Sequence, residues 1–161
     1  MEQPLPDGTY KLNSYLRAFV LQAGVAVPGT VSAWTTTERE SVSPVPANQR
    51  WQVFKAPTGV YICSHSVGSG FSIGCLDVLQ RSTQPQAPIV VRAFDGSSSQ
   101  QWTLQQTSTT TPGPWRLFTV LKNVHSGLVM EAPSAEHGLA RQMPMSSAKR
   151  HVQEWIPTVV H

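Results

Sequence analysis

Asn48-Gln49-Arg50-Trp51 holds a three-residue signature, Gln-x-Trp, that returns as Gln100-Gln101-Trp102 and again as Gln153-Glu154-Trp155. Three of the five tryptophans therefore sit in one signature, spaced 51 and 53 residues apart. A near-constant period of this length marks a chain built from repeats. A second marker keeps the same step. Gly8-Thr9-Tyr10-Lys11-Leu12 returns as Gly59-Val60-Tyr61-Ile62-Cys63, and Pro114-Trp115-Arg116-Leu117 opens a third stretch. Each repeat begins with a short alternating strand and closes on Gln-x-Trp followed by another. The repeats run over about 8–58, 59–113 and 114–161, within one domain of 161 residues.

Between the signatures the pattern is that of strands. Trp51-Gln52-Val53-Phe54, Ile89-Val90-Val91-Arg92-Ala93-Phe94, Trp102-Thr103-Leu104 and Phe118-Thr119-Val120-Leu121 are short, β-branched or aromatic, and bounded by Gly, Pro and Ser. No sustained helical period is present, and 13 prolines spread through the chain argue against long helices. Thr35 to Ala47 and Thr107 to Pro114 read as Thr/Ser/Pro-rich surface loops. Three units are too few for a propeller, which takes about four to eight blades. The expected fold is all-β, with three units closing around a pseudo-threefold axis to share one core.

Charged residues make up 13% of the chain, below the roughly 25% usual for soluble proteins. The net charge of +3 is scattered apart from Lys149-Arg150-His151, which is too sparse for a nucleic-acid footprint. No apolar run approaches the length of a membrane span. The opening MEQPLPDG has neither a basic nor an apolar leader segment, so a cytoplasmic location is expected. In a reducing compartment Cys63 and Cys75 read as buried thiols in preference to a bridge, with a cross-strand disulfide as the alternative. The five histidines show no metal spacing, and no cofactor or metal is expected. Gly70-Phe71-Ser72-Ile73-Gly74 satisfies the pattern of a hydrolase nucleophile elbow, with Asp77 or Asp95 and then His125 following in order. That elbow needs a strand feeding a helix in a parallel sheet. Without such alternation a glycine-flanked turn is the better reading, and the protein is expected not to be an enzyme.

The triple Gln-x-Trp, with Asn123-Val124-His125-Ser126-Gly127 before the third and Cys75-Leu76-Asp77-Val78 in the second, resembles the β-trefoil of ricin B-chain-type lectins. The opening Asp7-Gly8-Thr9-Tyr10 is similar to the small cytoplasmic lectins of mushrooms and other fungi, for which the resemblance implies a defensive role. The signature itself calls for a structural explanation first: Trp supplies a large apolar body, and Gln can satisfy buried backbone groups. The resemblance further implies a pocket in each repeat, made of an Asp for sugar hydroxyls, an aromatic ring under the sugar and an Asn before the Gln.

Carried over, the first repeat offers Trp34, Asn48 and Gln49, with Gln22 in place of the Asp. The second offers Asp77, Phe94, Arg92 beside it and Gln100, with Ser99 in place of the Asn. In the third, Glu131 takes the acid position, but Gln142, Met143 and Met145 lie where the ring is sought and Val152 replaces the Asn. That pocket is lost or used differently. Glycans or glycoproteins of galactose or N-acetylgalactosamine type are the implied partners, bound through the first and second repeats, with several sites or a homodimer supplying avidity. Nucleic acid and membrane insertion are not expected. Small mushroom β-trefoils also include protease inhibitors that act through surface loops, and here Thr35 to Ala47, stiffened by Pro44-Val45-Pro46, would be that loop.

Overall fold

The short alternating runs become short strands in the computed structural model, which describes residues 6–14, 19–26, 33–39, 45–64, 73–106, 119–133 and 137–160. The first four strands are β1 (Gly8–Ser14), β2 (Phe19–Ala26), β3 (Ala33–Arg39) and β4 (Trp51–Lys55). β5 (Val60–Ser64), β6 (Gly74–Val78), β7 (Ile89–Ala93) and β8 (Trp102–Gln106) follow. β9 (Thr119–Asn123), β10 (Val129–Glu131), β11 (Arg141–Met143) and β12 (Trp155–Val159) complete the set. Each Gln-x-Trp straddles the end of a short helical turn and the start of a strand, β4, β8 or β12. The expected opening of the third repeat, Pro114 to Leu117, lies outside the described residues, as do Thr107 to Pro114 and Gly70 to Ser72.

β1, β4, β5, β8, β9 and β12 pair antiparallel in a closed ring. Closure removes the exposed edges that an open sheet would present. The other strands form three hairpins, β2–β3, β6–β7 and β10–β11. The hairpins meet one another at the start of their second strands: Ala140 N–H, just before β11, donates to the Thr35 carbonyl (3.0 Å), and Ile89 N–H donates to the Ala140 carbonyl (2.9 Å). The Thr35 hydroxyl closes the circle on the Ile89 carbonyl at 2.7 Å. Thr35, Ile89 and Ala140 are thus equivalent positions around a pseudo-threefold axis. The fold is a β-trefoil.

Trp51, Trp102 and Trp155 are fully buried in one core with Leu12, Ile62 and Leu121 from the barrel and Leu21, Leu76 and Met130 from the hairpins. Each indole N–H donates to the carbonyl of its own repeat's second strand: Trp51 to Leu21 (2.9 Å), Trp102 to Leu76 (3.1 Å) and Trp155 to Met130 (3.1 Å). A large side chain is therefore buried without stranding its polar atom. The turn before β5 is fitted as closely. Gly59 takes a positive φ of 79°, and a Cβ there would overlap the Trp102 carbonyl, so only glycine suits the position.

Two sequence expectations are corrected. Thr35 to Arg39 is the body of β3 rather than loop, because the threonines alternate faces, with Thr35 and Thr37 buried and Thr36 half-exposed. Cys63 and Cys75 form a disulfide rather than two thiols. They face each other across the β5–β6 pair, both buried, a register that their spacing in sequence does not reveal.

Trp102→Ala should lower the unfolding free energy by about 3–5 kcal/mol, since it removes a large buried aromatic and strands the Leu76 carbonyl. Denaturant titration checks this, and a loss below about 1 kcal/mol is incompatible with the core position. Cutting the disulfide by the double change Cys63→Ala, Cys75→Ala should cost about 2–3 kcal/mol, the scale for a loop of this size. Dithiothreitol should shift the denaturation midpoint of the parent protein and not that of the variant.

Candidate functional site

Strand alternation places residue 77 on the opposite face of β6 from the core residues Leu76 and Val78. Asp77 lies opposite Val90 on β7, and Arg92 follows two residues along the same face. The Arg92 Nε donates to Asp77 Oδ2 at 2.8 Å, and an amino nitrogen of the same guanidinium lies 2.8 Å from that oxygen. Asp77 Oδ1 accepts the Val78 N–H at 2.7 Å. The Asp77 side chain is 0% exposed, so this carboxylate is a buried anchor beneath Arg92. A sugar hydroxyl would have to displace Arg92 to reach it.

Arg92 also bridges outward to Asp95 at 2.8 Å, and Arg81 meets the same Asp95 oxygen at 2.6 Å. Gln80 and Arg81 both take left-handed backbone, with φ of 55° and 52°. Non-glycine residues adopt that conformation at a cost. Burial raises the Asp95 carboxyl, but hydrogen bonds from Ser97 and Arg92 outweigh it and hold the group at about 2. Burial likewise lowers the Arg92 guanidinium, and its pairing with Asp77 and Asp95 more than reverses this. The network carries two positive and two negative groups and is held together by charge-assisted bonds.

Phe94 stands at the edge of this network with its side chain 49% exposed. Its ring packs edge-on against Tyr61 with centroids 5.0 Å apart. Gln100, from the second signature, donates to the Ala93 carbonyl (2.9 Å) and accepts the Asp95 N–H (3.0 Å), fixing the loop that carries Phe94 and Asp95. Ser99 is buried, its carbonyl taking the Asn123 amide at 2.8 Å and its hydroxyl 3.1 Å from that of Ser97. Arg81, Arg92, Phe94 and Asp95 are therefore the accessible groups of this cluster, with Asp77, Ser99 and Gln100 as their support.

The first repeat is arranged differently. Gln49 donates to Gln22 at 2.9 Å and to the Arg39 carbonyl at 3.4 Å, so these two predicted residues do meet. The Gln49 Oε1 is buried and has no hydrogen-bond partner among the described residues. Asn48 is half-buried in the short turn Ala47–Gln49. Trp34 is displaced from the expected ring position. It precedes Thr35, the equivalent of Ile89, so it corresponds to Pro88, whereas Phe94 corresponds to Glu40, outside the described residues. On β3 it lies opposite Val90, which lies opposite Asp77. The half-buried Trp34 thus stands in one cross-strand row with the second repeat's acid.

In the third repeat Glu131 accepts Gln153 at 3.1 Å, with the Lys149 Nζ 3.7 Å away. Gln142 is buried and bonds the Ser82 and Gln84 carbonyls. Met143 and Val152 are half-buried, and Met145 is exposed. His125 Nδ1 lies 3.3 Å from the Ser98 hydroxyl, and Ser72 of the elbow pattern lies outside the described residues. Asp95 and Arg81 escape the sequence reading as site residues. The step from Arg92 to Asp95 is the one signal that could have found the first of them.

The chain is similar in fold to a designed 3-fold symmetric protein, ThreeFoil, at TM-score 0.69 and 23% identity over 94% of this chain and 99% of that one. It is similar to a Polyporus squamosus lectin bound to the human-type influenza-binding epitope Neu5Acα2-6Galβ1-4GlcNAc, at TM-score 0.70 and 13% identity over 96% of this chain and 50% of that one. It also matches an exo-β-1,3-galactanase from Clostridium thermocellum, at TM-score 0.71 and 17% identity over 98% of this chain and 31% of that one. The chain thus spans half of the lectin and about a third of the galactanase. No curated protein matches the sequence. Residues 47–136, more than half of the chain, match the model of the ricin-type β-trefoil lectin domain-like family, and the chain belongs to that family.

Proposed function

We propose that the protein binds glycans through shallow pockets in the first and second repeats and acts by binding alone, without catalysis. The observation that carries this reading is Phe94, a half-exposed ring set beside the Arg92–Asp95–Arg81 network. A sugar ring has one apolar face and a rim of hydroxyls. The apolar face stacks on Phe94, while hydroxyls accept from the guanidinium groups and donate to Asp95. Asp77 acts from below as a positioning residue, holding Arg92. In the first repeat the partly exposed Gln22, held by Gln49, offers its amide to a hydroxyl. Galactose-containing ligands are favoured by two structural relatives, the exo-β-1,3-galactanase and the lectin with a galactose-bearing epitope. So few contacts give a single-site Kd of about millimolar to micromolar, with useful avidity only when sites are engaged together.

A glycan array probed with the labelled protein should show a shared terminal sugar, and Phe94→Ala should abolish or strongly reduce those signals while leaving the denaturation midpoint in place. An empty array, or an array unchanged by Phe94→Ala, overturns the reading. Arg92→Ala differs in kind. It leaves Asp77 buried without its partner and should cost about 3–5 kcal/mol of stability.

Binding should also have a defined acid limit. The folded Asp95 sits at about 2, below its ordinary 3.8, so its contribution is fully present above the unfolded value and is lost as pH falls through the folded one. Second-repeat binding should therefore hold from about pH 7 to pH 4 and fail only towards pH 2. An Asp95 titration midpoint near the ordinary carboxylate value, read by carbon-detected NMR, contradicts the network.

A further inference from the structure

Phe54 is the third residue after the first signature's tryptophan and lies opposite Tyr61 across β4 and β5. By the same count the other two joints of the barrel hold Gln105 opposite Val120 and Thr158 opposite Lys11. The scaffold is therefore built equally well with polar and aliphatic residues at this position. Of the three joints, the one between the first and second repeats carries two aromatic rings, and it is the joint that borders Phe94.

Strand alternation turns Phe54 and Tyr61 away from the core residues Val53 and Ile62. Phe54 stays 39% exposed and Tyr61 is half-buried. Residues directly opposite on an antiparallel pair hold their Cβ atoms about 5 Å apart. Tyr61 in turn packs edge-on against Phe94, with centroids 5.0 Å apart. The three side chains thus form one row, spanning roughly 10 Å from Phe54 to Phe94. The Tyr61 hydroxyl ends beside Gly96, where a Cβ would lie 3.7 Å from it, so a polar group stands next to the loop that carries Asp95.

We infer that the second-repeat site continues along this row onto the barrel and takes a neutral glycan chain of two or more residues, one on Phe94 and the next on Phe54, with a hydroxyl at Tyr61. The inference rests on the glycan-binding reading of Phe94. Phe54 and Tyr61 are neither the acid nor the ring position of a repeat, so they set the length of the ligand rather than add another pocket. One sugar ring stacked on Phe94 leaves Phe54 uncovered. A second protein is the wrong shape of occupant, because the three rings together expose roughly 200–300 Å², against about 800 Å² on each side of a stable protein interface. A glycan chain is narrow. It lays the apolar faces of successive residues on flat rings and keeps its other hydroxyls in water. Arg81 and Arg92 are balanced by Asp77 and Asp95, so the chain needs no charge of its own.

The test is a ¹⁵N–¹H NMR titration with galactose, N-acetylgalactosamine and the disaccharides Galβ1-3Gal and Galβ1-4GlcNAc, each taken to about 50 mM to cover weak binding. The parent protein is compared with Phe54→Thr, which places there the residue type that the third repeat's Thr158 supplies at the equivalent position. At least one disaccharide should bind about tenfold or more tighter than either monosaccharide. It should shift the amides of Lys55 and Tyr61 as well as those of Phe94 and Ser97. Phe54→Thr should bring the ratio of disaccharide to monosaccharide affinity to within about twofold of one. Equal affinities in the parent, with shifts confined to Phe94 and Ser97, overturn the extension and leave the Phe94 reading standing. A ratio that Phe54→Thr does not change has the same meaning. Absence of binding by all four sugars overturns both. Sedimentation of the two proteins covers the remaining occupant: a dimer that Phe54→Thr dissociates places a second copy on the rings and overturns the extension.

Discussion

The structure depends on one hydrogen bond made three times, from a buried indole N–H to the carbonyl one residue before the acid position of the same repeat. Through it Trp51, Trp102 and Trp155 tie each hairpin to the barrel strand that begins with the tryptophan itself. The glutamine two residues earlier closes the other end. Gln49, Gln100 and Gln153 donate to the carbonyls of Arg39, Ala93 and Pro144, where each third strand ends. Three residues of sequence thus fix both ends of a hairpin against the barrel. These donors find backbone acceptors at all three joints, with the Gln49 Oε1 as the polar atom left over at the first.

Because this lock uses backbone carbonyls, the side chains on the outer face of the hairpins are free to differ. The acid position is Gln22, Asp77 and Glu131 in turn; the first and third are bonded by their own signature glutamines, Gln49 and Gln153, and the second by Arg92. A binding group can be lost or inverted at one repeat without loosening the scaffold. The same freedom extends to the middle residue of the signature, which is an exposed arginine, a satisfied glutamine and a glutamate with one oxygen unmatched.

The fold was legible because its determinants are local and repeated. A tryptophan, a glutamine and a period of about 50 residues need no knowledge of pairing. What depended on register was hidden. Cys63 and Cys75 are only 12 residues apart in sequence, and nothing short of the β5–β6 pairing shows that they face each other. Thr35 to Arg39 has the composition of a loop, yet its alternation carries a strand through the pseudo-threefold axis. Trp34 was read as the first repeat's ring from its surroundings in sequence, while the ring of hydrogen bonds through Thr35, Ile89 and Ala140 sets it six residues from Phe94's equivalent. The burial of Asp77 is likewise invisible in sequence, since the arginine that covers it lies on a neighbouring strand.

Under the proposed function, that burial bears on how a site of few contacts could be specific. Two charges out of water are not a strong source of stability, because desolvation offsets much of their attraction. Their value lies elsewhere. A free arginine on a surface must be ordered before it can hold a ligand, at about 0.5–1.5 kcal/mol for a side chain of this kind. Arg92 is already held by Asp77 from below and Asp95 from the side, and Phe94 is held by Tyr61. The groups proposed to meet a ligand are therefore held in place without one. In a site with few contacts, a saving of this size is comparable to a hydrogen bond, and part of it is supplied by Asp77, which the proposed ligand would not touch.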